Sequence, residues 1–264
     1  MGNQVTLNSS YMGNTPRFSY IGIEPLINSN SFAYVSLDAD RKLLAIGEGS
    51  LTDVFSYLIG QEALVVAIHG PGWMGRSIEG FDFAGDEAPP AVRSLRACEL
   101  AAWRESIPVE FTPSKAGKFS PACRRGYQLI QMLLRYQFLF AHQTPANKIL
   151  IETQPAACYH QLVDIAPLSD DTFLGRIQRQ LILHDHNLPV QDPMIFFEEI
   201  TRYKLMMGKV SLQSFLVPQE LNAMVMAYTS WLFHQQPAQT RRYGDDADGM
   251  LIFPAVNQSR RVHE

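Results

Sequence analysis

Apolar and polar residues alternate early in the chain. Phe18 to Glu24 (FSYIGIE) is rich in aromatic and β-branched residues and reads as a strand. Ser31 to Leu37 (SFAYVSL) reads as a second strand, and Lys42 to Ile46 (KLLAI) as a short third, closed by Gly47 and Gly49. Lying so close in sequence, these three pair most simply as an antiparallel meander. Ser50, with Asp53 three residues on, marks a helix N-terminus, and that helix runs through Leu58 to Gly60. Ala63 to Ile68 (ALVVAI) is continuously apolar, which suits a strand buried on both faces in a mostly parallel sheet. His-Gly-Pro-Gly (69–72) ends it.

A Gly- and Pro-rich loop follows to Pro90, then helical patterns over 91–104 and over 120–141, where Gly126 is the weak point. Lys148 to Glu152 (KILIE) is another buried-type strand, and Pro155 fits the first turn of the next helix. From Asp171 onward the chain reads as mainly helical, with Pro218 opening a strong apolar helix over 219–233. Met250 to Phe253 reads as one more short strand. No internal repeat and no linker divides the chain. The expected organisation is a tail over 1–16, one domain over 17–257 and a tail over 258–264.

Composition narrows the function classes. Apolar residues make up 46% of the 264 and charged residues 18%, enough for a sizeable core. A formal net charge of -4 argues against constitutive, salt-driven coating of nucleic acid, although a local basic patch stays open. Cys98, Cys123 and Cys158 form no C-x-x-C pair, so neither a zinc ribbon nor a dithiol redox motif is offered, and so sparse a set suggests a reducing compartment. The polar N-terminal residues have no apolar segment of a secretory signal. Gly2 and Thr6 fit the myristoylation pattern loosely. No apolar run approaches the ~18 residues of a membrane helix, so no membrane partner is expected and the cytoplasm is the expected compartment.

Three short segments invite other chemistries. HGPG suggests the oxyanion loop of an α/β-hydrolase, but GEGSL (47–51) and GRSIEG (75–80) do not supply the G-x-S-x-G elbow. His184, Asp185 and His186 suit a polar helix end better than a metal pinch. Asp245, Asp246 and Asp248 suit a turn, lacking the spaced ligands and distal Glu of a calcium loop. Arg124, Arg125, Arg241 and Arg242 are the best candidates for phosphate contacts. Trp73, Phe81 and Phe83 are candidates for stacking on bases or for packing their loop on the core.

Several motifs in order carry a resemblance: GIE (22–24), AIHGP (67–71), Arg93 with Cys98 and Glu99, PVEFTP (108–113), RRGYQL (124–129), IETQPAA (151–157), ELNAMVMAYTSWLF (220–233) and GMLIFP (249–254). Over roughly residues 18–256 the chain resembles an uncharacterised family of predicted RNase H-like nucleases. The resemblance implies an α/β fold with a mixed sheet, three antiparallel strands and then parallel ones, helices on both faces and a mainly helical C-terminal part. It also implies carboxylates at strand ends and on a late helix. Phosphodiester hydrolysis by the two-metal route needs Mg²⁺ or Mn²⁺ ions about 4 Å apart, held by oxygen ligands.

Carried onto this chain, the catalytic candidates are Glu24, His69 and Glu152. The metal ligands are Glu24, Glu152 and Glu220, and the candidates for nucleic-acid contact are Arg124 and Arg125. The chain departs from the pattern at three positions. His69 stands where the family has Asp, and imidazole suits Zn²⁺ or Mn²⁺ better than Mg²⁺. Gln219 and Asn222 fall where the late helix is acidic. Sugar kinases and actin-like ATPases share the core, yet Pro-Leu-Ile-Asn-Ser-Asn follows the first strand in place of their phosphate turn. Two expectations remain: a divergent metal-dependent nuclease on DNA or RNA, or a non-catalytic module binding nucleic acid or a protein partner.

Overall fold

The computed structural model describes residues 17–81, 89, 92–141, 146–209, 211–245 and 247–255. Gly2, Thr6, Phe83, Asp246 and both expected tails, 1–16 and 258–264, lie outside them.

The first three strands are β1 (Phe18–Pro25), β2 (Ser31–Leu37) and β3 (Leu43–Ser50), paired antiparallel in sequence order. Helix α1 (Leu51–Ile59) follows, capped as the sequence requires: the Ser50 side chain accepts the Asp53 N–H while Asp53 accepts the Ser50 N–H, and Gly60 ends it. Strand β4 (Ala63–His69) then lies parallel to β1. After a small hairpin of β5 (Arg76–Ser77) and β6 (Ser94–Leu95) come α2 (Ala97–Arg104) and α3 (Pro121–Leu134). Strands β7 (Leu139–Phe140) and β8 (Lys148–Thr153) extend the sheet beyond β4, both parallel.

Helices α4 (Pro155–Val163), α5 (Phe173–Asp185), α6 (Met194–Glu199), α7 (Arg202–Met206) and α8 (Pro218–Gln235) follow. The hairpin β9 (Thr240–Asp245) and β10 (Gly249–Pro254) closes the sheet in the order β3-β2-β1-β4-β8-β10-β9. The fold is therefore α/β with a mixed sheet, as the pattern implied. No helix among the described residues is long and apolar enough to cross a membrane.

The pleat sorts the core into two layers. Ile21, Ile23, Leu64, Val66, Ile68 and Leu150 pack with α1 and α3 on one face. Tyr20, Val65, Ala67 and Ile151 face α4, α5 and α8 on the other. Every residue of α8 from Leu221 to Phe233 is buried, the signature of a helix enclosed on all sides. Gly22 lets α8 come that close: a Cβ there would strike the Ala223 carbonyl and the Ala227 nitrogen. Gly126 has the same role on the opposite face. A Cβ on it would strike the His69 carbonyl and sit 2.9 Å from the Gly70 Cα, so α3 rests directly on the turn that ends β4. The weak point in the helical pattern is a contact point.

Several elements differ from the sequence reading. Strand β3, expected to close at Gly47 and Gly49, runs through both to Ser50. The second long helix stops at Leu134, because Gln137 turns the chain with φ 64° and Phe138, Leu139 and Phe140 then alternate in, out and in as an extended segment. Residues 94–95 are extended, and the helix expected from 91 begins at Ala97. Strand β9, which the pattern did not signal, covers Arg241 and Arg242. The turn expected beyond it is present, with Asp245 accepting the Ala247 and Asp248 N–H groups.

Candidate functional site

Parallel pairing of β1, β4 and β8 puts their carboxyl ends side by side. Ile23 pairs with Ile68, Ile68 with Glu152 and His69 with Thr153. Directly paired residues share a face, so Glu24, His69 and Thr153 form one row on the α8 side of the sheet. Glu152 is one residue earlier and points to the other side.

The row opens into a cavity of about 800 Å³. Its floor is Glu24, His69 and Thr153. Its walls are the segment from Pro108 to Pro113, the start of α3 at Ser120–Cys123, the start of α4 at Gln154–Ala156, and Arg96, Lys118, Asp170, Arg179 and Asn222. The Gln154 side chain clamps the overlying segment at two points, accepting the Glu110 N–H at 2.6 Å and donating to the Glu110 carbonyl at 3.0 Å. That clamp holds the Glu110 carboxylate over the sheet edge.

His69 sits between two carboxylates. Its Nδ1 is 2.9 Å from Glu24 Oε2 and its Nε2 is 3.8 Å from Glu110 Oε1. Burial works against the charged ring, but the charge and hydrogen bond of Glu24, with Glu110 behind it, prevail and lift its pKa to about 9. At neutral pH His69 is therefore an imidazolium, with a proton on each nitrogen. In that state it is a hydrogen-bond donor and an internal cation. A metal ligand needs a neutral imidazole with a free lone pair.

Glu152 belongs to a different cluster on the far face. Arg96, 2% exposed, donates from Nη1 to Glu152 at 2.7 Å and from Nε to Glu99 at 2.8 Å. Glu99 also accepts the Arg96 and Thr112 backbone N–H groups, each at 2.9 Å, and the Thr112 hydroxyl. Burial pushes the Glu152 carboxyl above its ordinary value, and Arg96 pulls it back only in part. Gly72 is held against this carboxylate, since a Cβ there would lie 2.6 Å from Glu152 Oε1.

The remaining candidates are spread out. Glu220 caps α8, accepting the Val217 N–H at 3.0 Å. Arg125 is half-buried and donates to the Leu26 carbonyl and, at 3.5 Å, to Asn30, so it braces the loop after β1. Arg124 is exposed on α3. Arg241 pairs with Glu105 at 2.7 Å, and the Arg242 guanidinium lies over the Phe233 ring at 4.9 Å. Trp73 packs on Phe140, ring centroids 4.4 Å apart, and Arg76 covers the Phe81 ring. His184 to His186 end α5.

Of the expected catalytic set, Glu24 and His69 are thus in contact, Glu152 is on the other side of the sheet and Glu220 is at a helix cap. Among the described residues, no group of three or more His, Cys, Asp and Glu side chains is arranged to hold a metal ion. Pattern reading missed Glu110, Gln154, Asp170 and Arg179. Glu110 was inside a quoted motif, but nothing local marks a segment that crosses over a strand end. Cys123 lines the cavity without a nucleophile's character: burial, with Glu110 next, lifts its thiol to about 12.

Searches against protein families, curated proteins and solved structures found no match to this chain.

Proposed function

We propose that this protein is an RNase H-like module whose metal-dependent centre has been replaced by internal ion pairs, and that its cleft binds a segment of a partner protein without cutting phosphodiesters. The strand order β3-β2-β1-β4-β8, antiparallel and then parallel, supports the fold assignment. The single observation behind the functional reading is the His69 imidazolium seated between Glu24 and Glu110. It neutralises the carboxylates that a divalent ion would need, while Arg96 does the same for Glu152.

The lining indicates the kind of partner. The cleft mixes charges, with Glu24, Glu110 and Asp170 beside His69, Arg96, Lys118 and Arg179, and Pro108, Val109, Phe111 and Pro121 give it apolar walls. Apolar walls with charges of both signs suit a peptide segment, whose side chains can be neutral or charged, and the carboxylates of Glu24 and Glu110 offer a place for a basic one.

The metal-dependent nuclease is the second reading. It is favoured by Glu24, His69 and Asn222 meeting in one cavity from β1, β4 and α8, the elements that the resemblance implicates. It requires His69 to lose its proton and Mg²⁺ or Mn²⁺ to bind with few carboxylates.

Calorimetric titration with Mn²⁺, beside anisotropy with labelled basic peptides, acidic peptides and oligonucleotides, separates the two. The proposed reading expects no saturable metal binding at millimolar Mn²⁺ and peptide binding that Glu110→Lys abolishes. Saturable Mn²⁺ binding lost in Glu24→Ala, with cleavage of an oligonucleotide, would put the nuclease first. Oligonucleotide binding without cleavage would replace the peptide with nucleic acid as the ligand.

A further inference from the structure

We infer that the part of the cleft where α4, α5 and α8 meet is a carboxylate subsite built on Arg179, and that it takes the C-terminal carboxylate of a bound peptide. The inference rests on reading the cleft as a peptide site. Among the described residues two arginines are buried, Arg96 at 2% exposure and Arg179 at 4%. An arginine is almost never so enclosed without a paired acid. Arg96 follows that rule through Glu99 and Glu152. Arg179 lines the cavity and forms no ion pair with a described carboxylate. Its Nη1 donates to the Leu168 carbonyl at 2.6 Å, its guanidinium lies over the Tyr159 ring at 5.2 Å, and its Nε is buried with no acceptor. A guanidinium carries five N–H donors, so most of its capacity is unused by the chain.

The acids nearby are turned elsewhere. Asp170, in the same wall, accepts from Asn222 Nδ2 at 3.4 Å, and Asp171 is exposed and accepts the Ser169 hydroxyl. Helix α4 adds a second source of positive potential. Gln154 at its N-cap turns its side chain to Glu110, so no side chain caps this nine-residue helix, and its start at Gln154–Ala156 lines the cavity. Uncapped first-turn N–H groups present the positive end of the helix dipole. Tyr159, on the next turn of α4, joins these parts. Its ring faces Arg179, and its hydroxyl donates to the Leu221 carbonyl at 2.8 Å, next in the chain to Asn222.

An acceptor in the same wall selects the ligand. Asn222 is 7% exposed and lines the cavity, and its Oδ1 is buried with no donor. A C-terminal residue carries a carboxylate and an N–H on one Cα, the first for Arg179 and the second for Asn222. An acidic side chain holds its carboxylate further from its own N–H, and a phosphodiester brings acceptors alone. Capture of a terminal carboxylate by such donors is a recurring mode of peptide recognition, and a planar guanidinium matches the two carboxylate oxygens.

NMR on the isotope-labelled full chain tests this with small probes: N-acetylglycine, N-acetylglycinamide and inorganic phosphate. N-acetylglycine should shift the Arg179 Nε–Hε resonance saturably, and the amide should not. Arg179→Met should weaken that binding at least ~10-fold, the loss of a charge-assisted hydrogen bond. Arg179→Lys should recover only part of it, because an ammonium lacks the planar fork. Asp170→Asn should tighten it roughly 2–5-fold, the scale of one partly screened charge pair, which a purely structural Arg179 would not produce. The comparison of acid with amide uses the wild-type chain, so it stands even where the Met variant does not fold. An Arg179 resonance that responds equally to acid and amide, or to neither, would overturn the inference. So would phosphate binding there more tightly than N-acetylglycine. Labelled peptides are then compared as free acids and as C-terminal amides. Equal affinity for the two forms would overturn the subsite and leave the cleft as a peptide site. Absence of all peptide binding, with N-acetylglycine still shifting Arg179, would overturn the peptide reading and leave a site for small carboxylates.

Discussion

His69 should make folding stability fall as pH rises through the alkaline range. Its ordinary pKa is 6.5, and between Glu24 at 2.9 Å and Glu110 at 3.8 Å it is about 9 in the folded protein. Between those values the folded chain holds a proton that the unfolded chain has released. The stabilisation is therefore complete below about pH 6.5 and is lost as pH rises through about 9. A shift from 6.5 to about 9 corresponds to about 3 kcal/mol at 1.36 kcal/mol for each pH unit. The side chain is 18% exposed, so solvent screening takes little from this figure. Urea unfolding at about pH 6 and about pH 9.5 should show that loss in the wild type. In His69→Gln it should be largely absent, because the amide can still donate to Glu24 but carries no titrating proton. The His69 ring protons, followed by NMR, should titrate near the same alkaline value. An equal pH slope in wild type and His69→Gln would refute the argument, as would a ring that titrates near its ordinary value.

Other substitutions test the fold around the site. Arg96→Met leaves Glu99 and Glu152 buried without their cation and should cost about 3–5 kcal/mol in urea unfolding, with Glu152→Gln in the same chain recovering part of it. Gly22→Ala pushes a methyl into the α8 backbone and should cost at least 1–3 kcal/mol, roughly the range for overpacking, seen as a fall in Tm. Glu220→Ala should cost only about 0.5–1 kcal/mol, the loss of one cap interaction, and should leave any ligand affinity of the cleft unchanged.

Much of the architecture was legible because it is written in local periodicity. β2 falls on its expected residues, α1 has the capping box that Ser50 and Asp53 announce, and Pro155 opens α4. Elements fixed by distant partners were not legible. Strand β9 (TRRYGD) has little apolar patterning of its own and forms because β10 offers it an edge beside the packed sheet. Residues 135–141 continue a helical pattern, but the chain turns at 135–137 and Leu139 and Phe140 are drawn into extended form along β8. In the site, Glu24 and His69 were visible as strand-end residues. Their partner Glu110 was not, because its position depends on a clamp from Gln154, forty-four residues away.

Register explains why a plausible carboxylate ended outside the cleft. A strand end offers two successive positions, and the pleat sends them to opposite faces. On β8 the cavity position is Thr153, whose hydroxyl donates to the Ile252 carbonyl at 2.6 Å, and the carboxylate falls on the hidden position at Glu152. A carboxylate there, 1% exposed, needs a cation close by, and Arg96 supplies it from the residue that caps α2. On the proposed reading the same replacement has been made twice. His69 stands in for a bound ion beside Glu24 and Glu110, and Arg96, which reaches the cavity wall, does so for Glu99 and Glu152, so each cluster of carboxylates is stabilised from within the chain. The consequence for regulation follows from the difference between the two cations. A guanidinium stays charged at every physiological pH, so the Arg96 cluster is permanent. An imidazolium does not, so alkaline conditions unlock only the cleft side, leaving Glu24 and Glu110 as unpaired carboxylates facing a now neutral His69. A peptide carrying a Lys or Arg side chain should therefore bind the cleft more tightly above about pH 9 than at pH 7, provided the ligand's own charge persists, and Glu24→Gln with Glu110→Gln should abolish that rise.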